Sequence, residues 1–258
     1  MTVHFIGAGP GAADLLTLRA VRLLQESPIC LYAGTYIDDE VLSHCGPETE
    51  LIDTAYLNLD AITATLVAAH DAGHDVARLC SGDPSIYSAI AEQTRRLDAA
   101  GVPWDLTPGV PAYAATAALI GRELTVPEVA QSVVLTRAQK DSTKMPPGET
   151  LAAFAATNAT LVLRLAIRHT RRLADELSAH YGANCPVVVG SQVTQPEELI
   201  LRGTLADIAD QVEAAGLTQA AVIIVGWALS AEGFVESHLY SSRPPRPAGE
   251  GRPDASLV

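Results

Sequence analysis

Three times in its first half the chain runs from a short apolar stretch into a turn of glycine and proline, and then into a helix-forming stretch. The apolar stretches are residues 3–6, 76–79 and 104–106. They lead into Gly7-Ala8-Gly9-Pro10-Gly11, Ser81-Gly82-Asp83-Pro84 and Thr107-Pro108-Gly109-Val110-Pro111-Ala112. A strand, a tight turn and a helix is how an open α/β sheet presents a ligand site. In a parallel sheet the carboxyl ends of the strands share one edge, so all three turns are expected to line one crevice. The middle turn, within LCSGDPSIY, carries the most chemistry. Gly82 lets backbone approach a ligand, and Pro84 holds Asp83 towards extended geometry. Ser81 and Ser85 can satisfy loose backbone groups or a ligand. Taken alone, Asp83 also suits the N-cap of a helix beginning near Ile86.

The remaining pattern continues the alternation. The first turn is followed by helical spacing through Leu15, Leu18, Val21, Leu23 and Leu24, with Asp14 near its start. Strands are expected over 28–32 and 50–53, separated by a short helix over 38–44. A helix over 59–72 closes at Gly73, a natural C-terminal glycine. Ile90, Thr94 and Leu97 mark a helix running to Gly101, and an alanine-rich helix over 113–119 stops at Gly121. Pro127 and mixed charges identify 122–131 as a linker.

A second α/β unit follows, with strands over 132–136, 160–165, 186–189, 199–202 and 220–225. The last is the most apolar and is expected at a sheet centre. Leu173 and Leu177 sit on a helix closing near Gly182, and Thr204 is expected to cap a helix through Leu205, Ile208 and Val212. The expected organisation is an α/β fold of two α/β domains, 1–121 and 132–240, with a tail over 241–258 whose four prolines imply flexibility.

The 258 residues are 48% hydrophobic and 18% charged, enough for a large core. A net charge of −13 argues against general nucleic-acid binding, which needs basic surface. A small anionic substrate remains compatible, through local arginines. Cys30, Cys45, Cys80 and Cys185 form no C-x-x-C pair and read as free thiols of a reducing compartment. The opening MTVHFIGAG lacks the charged and long apolar segments of a signal peptide, and no apolar run reaches the ~20 residues of a bilayer span. A cytoplasmic protein with no membrane association is expected.

Several chemistries fit poorly. G-A-G-P-G-A loosely matches a dinucleotide fingerprint, but the second strand ends in Tyr32 instead of an acidic residue, and Pro10 removes an amide donor from the loop. His70 and His74 have the spacing of a helical metal pair, but Gly73 intervenes and no third ligand is visible, so no metal is expected. There is no G-x-S-x-G elbow and no P-loop lysine. Arg168, Arg171 and Arg172 share one helix face, which suits either a solvated surface or an anion site. Arg137, at a strand end, is better placed to bind a carboxylate in the crevice.

FIGAGPGAADLLTLRA, RLCSGDPSIYSAI, TPGVPAYAATAALIGREL, SVVLTRA and VIIVGWAL together resemble the S-adenosylmethionine-dependent tetrapyrrole (uroporphyrinogen/precorrin) methyltransferases, in family order over roughly residues 3–229. YAGTYI, SGDPSIY and especially TVPEVAQSVVLTRA are most similar to members that methylate C11 of precorrin-4. Two departures stand out. Gln139-Lys140-Asp141 replaces a glutamate-glycine-arginine run, and LVLRLAI carries Arg164 at a place where a more neutral residue is the family habit.

The resemblance implies two α/β domains with S-adenosylmethionine folded in the cleft between them, and a homodimer. It implies cofactor contacts at Pro10, Ser81, Gly82, Asp83, Ile86, Tyr87, Pro111, Ala112, Leu165, Val188 and Ala221. Gly9, Tyr32, Tyr36 and Arg137 are the candidates on the side of a tetrapyrrole substrate. No catalytic nucleophile is implied, because methyl transfer from a sulfonium needs none. The alternatives are methylation of another precorrin or cobalt-precorrin carbon, of a modified histidine as in diphthine synthase, a dinucleotide-dependent oxidoreductase, or a non-catalytic ligand-binding relative.

Overall fold

The computed structural model describes residues 1–138 and 144–237. The expected flexible tail and the Gln139-Lys140-Asp141 departure lie outside these residues. The chain builds β1 (Val3–Gly7), α1 (Leu18–Glu26), β2 (Ile29–Tyr32), α2 (Asp39–Leu42), β3 (Glu50–Asp53), α3 (Leu59–Asp71), β4 (Val76–Cys80), α4 (Ile90–Ala99), β5 (Trp104–Thr107) and α5 (Ala112–Leu119). It continues with β6 (Val133–Arg137), α6 (Leu151–Ala155), β7 (Thr160–Arg164), α7 (Thr170–Tyr181), β8 (Pro186–Ser191), β9 (Leu199–Thr204), α8 (Ile208–Ala214) and β10 (Ala221–Val225).

The first five strands form a wholly parallel sheet in the order β3-β2-β4-β1-β5. Its centre is buried on both faces, as parallel sheets require. Ile6, Ala77 and Leu79 pack on one side with Leu24 of α1. Phe5, Val76 and Leu31 pack on the other with Leu66 of α3 and Leu97 of α4. This order differs from the 3-2-1-4-5-6 of the dinucleotide fold, because β4 separates β2 from β1.

The second sheet has the order β6-β7-β10-β8-β9, with β10 at the centre as its apolar sequence implied. It is mixed: β6 and β7 run parallel, while β10 is antiparallel to both its neighbours. One face packs on α7 and α8 through Leu161, Leu163, Leu177 and Ile208. The other, carrying Val162, Val188, Val222 and Ile224, meets Tyr113 and Ala117 of α5. So α5, which leaves the first sheet, is the element that the second sheet is built against. The segment between the sheets is structured, with a bridge between Val126 and Ala130.

Three helix starts differ from expectation. The chain first makes a 3-10 turn, Ala13–Leu15, and α1 begins at Leu18 with Thr17 Oγ1 accepting from the Ala20 amide at 3.1 Å. Leu18 is therefore a surface residue, 90% exposed. No helix starts at Ile86; α4 starts at Ile90, after Tyr87 and Ala89 take left-handed backbone at φ 56° and 52°. Thr204 does not cap α8. Its amide instead donates to Asp207 Oδ1 at 2.6 Å, and Asp207 holds the cap position.

Candidate active site

The three turns converge as expected, and they touch. The Gly9 amide donates to the Gly82 carbonyl at 3.2 Å, and the Gly82 amide returns a bond to the Gly9 carbonyl at 2.8 Å. A methyl group on Gly7 would run into the Gly109 amide and lie 2.8 Å from the Gly82 carbonyl oxygen. Glycine is required here because three backbones meet at one point. Gly9 and Gly82 also adopt φ of 72° and 70°, which other residues resist.

Asp83 ties this knot instead of capping a helix. Its Oδ2 accepts from the Gly109 amide at 2.9 Å, and its Oδ1 accepts from the Ser85 amide at 2.9 Å and from the Ser85 hydroxyl. Burial alone would raise its carboxyl, but the bonds from Ser85 and Gly109 outweigh that and hold it below the usual range. The left-handed stretch that follows is braced from beneath by Arg78. This buried cation reaches Thr54 Oγ1 at 3.2 Å and Gln93 Oε1 at 3.4 Å, and Gln93 in turn donates to the Ala89 carbonyl at 3.1 Å.

The second sheet faces this knot with two groups. The first is the loop between β8 and β9. Thr194 Oγ1 accepts from the Ala12 amide at 3.0 Å, and Gln195 Nε2 donates to the Pro10 carbonyl at 3.4 Å. Gln192 and Thr194 hold left-handed backbone to achieve this, at φ 45° and 64°. Sequence reasoning missed the loop. SQVTQPEE reads only as polar and turn-forming, and nothing in it names its partner 182 positions away.

The second group is an arginine pair. Arg137 ends β6, Arg164 ends β7, and the two are register partners. By alternation they share the face of Leu135 and Val162, the face towards α5. Arg164 Cζ lies 5.8 Å from the ring centroid of Tyr87, so a second-sheet cation meets the end of the SGDPSIY segment. Burial raises the Tyr87 phenol, Arg137 and Arg164 pull it down, and Glu149 pushes it up. Arg137 donates to the carbonyls of Ala138 and Lys144, both at 3.4 Å.

Of the residues named from sequence, Gly9, Pro10, Ser81, Gly82, Asp83, Pro111 and Ala112 lie in or beside the three-turn knot. Ile86 follows in the same turn, its amide donating to the Asp83 carbonyl at 3.4 Å, and Tyr87, Leu165 and Arg137 stand around the junction with the second sheet. Tyr32 ends β2 on the same sheet edge, its phenol raised by burial and by Asp53 and Asp39, and Tyr36 stands exposed just beyond it. Val188 and Ala221 do not join the others as one wall. Val188 is buried beneath α5, whereas Ala221 packs on the opposite face of the sheet against the α7–α8 core.

Arg168 falls in a 3-10 turn, Ile167–His169, ahead of Arg171 and Arg172 on α7, and only the last two meet carboxylates. Arg171 bonds Asp210 at 2.5 Å and Glu213 at 2.7 Å, Arg172 lies 3.8 Å from Glu176, and Arg168 donates to the Thr218 carbonyl at 2.8 Å. His70 contacts the Met1 carbonyl at 2.7 Å, at a helix end.

The chain is thus an α/β protein of a parallel sheet and a mixed sheet, with a glycine-locked crevice and a first-sheet strand order different from the dinucleotide fold. Residues 2–209 match the family described as Tetrapyrrole (Corrin/Porphyrin) Methylases, and the chain belongs to that family. It is 56% identical over 242 residues to the precorrin-4 C(11)-methyltransferase of Rhodococcus erythropolis, covering 94% of this chain and 97% of that one. Among solved structures it is similar to a cobalt precorrin-4 methyltransferase of cobalamin biosynthesis, with TM-score 0.86 and 35% identity over 89% of this chain and 96% of that one. It is also similar to a uroporphyrin-III C-methyltransferase from Thermus thermophilus complexed with S-adenyl homocysteine. There the TM-score is 0.75 and the identity 27%, covering 89% and 94% of the two chains.

Proposed function

We propose that this chain transfers a methyl group from S-adenosylmethionine to C11 of precorrin-4, giving precorrin-5 in corrin-ring biosynthesis. The likeness to the Rhodococcus erythropolis enzyme over nearly the whole of both chains carries the reading, and the family match over residues 2–209 spans all three turns. The residues present fit the cofactor. The first turn of α5 begins at Pro111 with no side-chain cap, leaving amides for a carboxylate. Ile86 and Pro111, each partly exposed, offer apolar surface beside the knot.

S-adenosylmethionine supplies a methyl group already activated on a sulfonium sulfur. The chain's own contribution is to hold two reactants in line and to keep water out. Such positioning can be worth ~7–11 kcal/mol. The knot of Gly7, Gly82 and Gly109, fastened by Asp83, makes the cofactor side rigid. Arg137 stands where it can bind a substrate carboxylate, with Tyr32, Tyr36 and Tyr87 as flat or hydrogen-bonding surfaces.

Incubation with S-adenosylmethionine and precorrin-4 is expected to add the mass of one methyl group, located at C11 by NMR. A methyl at another carbon, or none with an active substrate preparation, overturns the reading. Titration with S-adenosylhomocysteine and with NADH separates the dinucleotide alternative, and only the first is expected to bind.

Further parts of the reading are that the domains divide at 122–131, that the protein works in the cytoplasm, and that it works as a homodimer. Four free thiols suit a reducing compartment. No helix among the described residues is long and apolar enough to cross a membrane. The dimer rests on the family likeness, and sedimentation of the purified protein tests it.

A further inference from the structure

We infer that Arg164, backed by the Tyr87 ring and paired with Arg137, is a binding site for one carboxylate side chain of the tetrapyrrole. This deepens the function proposed above and rests on it for the identity of the ligand. Four independent features of the site point the same way.

The Arg164 Nη1 atom is buried and has no hydrogen-bond partner among the described residues. A buried guanidinium donor left unmatched is unfavourable, so an acceptor is expected to arrive with a ligand. Arg137 ends the neighbouring strand in register with it, so two cations share one sheet face at one edge. The Arg164 guanidinium offers forked donors of the kind that match a carboxylate, and Arg137 adds a second positive charge on the same face. The Tyr87 ring lies 5.8 Å from Arg164 Cζ, a cation–π contact that leaves the guanidinium donors available. The backbone is left-handed on both sides of this contact, at Tyr87 (φ 56°) and at Leu165 (φ 53°), where β7 ends. Strain of that kind gathers where a fold is held open for a ligand.

The inference gives Arg164 a role that its departure from the family habit left unexplained. Tyr87 then serves the substrate side through its ring.

The test uses a porphyrin octacarboxylate, which binds without turnover and is followed by its fluorescence, alongside precorrin-4 kinetics and calorimetry with S-adenosylhomocysteine. Arg164→Gln and Arg164→Met are each expected to weaken porphyrin binding by about tenfold or more and to raise KM for precorrin-4 similarly. Both should leave kcat and S-adenosylhomocysteine affinity within about twofold, and Arg164→Lys should recover part of the loss. Unchanged porphyrin affinity in the Gln and Met variants overturns the inference. So does a parallel loss of S-adenosylhomocysteine affinity, or a wild-type protein that does not bind the porphyrin. A wild-type protein that binds the porphyrin through Arg164 but methylates no precorrin-4 sinks the proposed function and supports the subsite.

Discussion

The Asp83 carboxylate accepts a hydrogen bond from the Gly109 amide at 2.9 Å, so a side chain of one turn holds the backbone of another across 26 residues of sequence. The two turns leave different strands, β4 and β5, which are not neighbours in the sheet, because β1 lies between them. The bond therefore closes the sheet edge over Gly7.

Replacing Asp83 by alanine is expected to free the Gly109 turn and weaken S-adenosylhomocysteine binding by about tenfold or more, while the protein stays folded. Bonds to a charged group contribute about 1.5–3 kcal/mol each, small beside the stability of the whole chain. Calorimetry and a thermal melt read the two effects separately. Unchanged affinity would reduce Asp83 to a local turn former.

The same carboxylate sets an acid limit. Its folded pKa is depressed, so the stabilisation it gives is present above the unfolded value of about 3.9 and is lost as pH falls through the folded value. Wild-type stability should therefore drop more steeply below about pH 4 than that of Asp83→Asn, in urea titrations compared across pH. Parallel curves would contradict the assignment.

A methyl group at Gly109 would fall on the Gly82 carbonyl oxygen and within 2.8 Å of Gly7 Cα. Backbone cannot yield as a flexible side chain can. Gly109→Ala is expected to cost about 1–3 kcal/mol in urea unfolding and to abolish cofactor binding. Gly148→Ala, with nothing within 4 Å, is the control and should bind normally.

Thr194→Val removes the acceptor for the Ala12 amide while keeping the shape of the side chain. The expected cost is about 1–2 kcal/mol of stability, with weaker cofactor binding because the first turn loses its brace from the second sheet. Denaturation and calorimetry on one preparation decide it, and a variant with wild-type values on both would mean that the loop only rests on the turn.

The four thiols should react unequally. The hydrogen bond between Cys30 and Cys45 lowers the pKa of half-buried Cys45 and raises that of Cys30, which burial raises further. Burial pushes Cys80 up to about 11 and Cys185 up to about 12. Near pH 8, iodoacetamide should label Cys45 first and the other three slowly, as peptide mass spectrometry would record. Faster labelling of Cys80 or Cys185 would overturn the ranking.

The strands, the glycine turns and their shared edge were legible in the sequence. Short apolar runs, glycine at tight turns and helix-closing residues such as Gly73 express local backbone preferences that travel with the residues themselves. The family likeness was legible too, because its motifs are those same turns. What the tertiary structure alone decided is which groups meet. It placed β1 between β4 and β5, and so set Gly7 against Gly109. It moved the start of α4 from Ile86 to Ile90 by forcing Tyr87 and Ala89 into left-handed backbone, a conformation their own chemistry does not favour. It turned Asp83 from a helix cap into a clasp, docked Thr194 on Ala12, put Val188 and Ala221 on opposite faces, and left the Arg164 Nη1 donor buried near Tyr87 without a hydrogen-bond partner. Each of these depends on contacts between residues far apart in the chain, and only the packing of the two sheets supplies them.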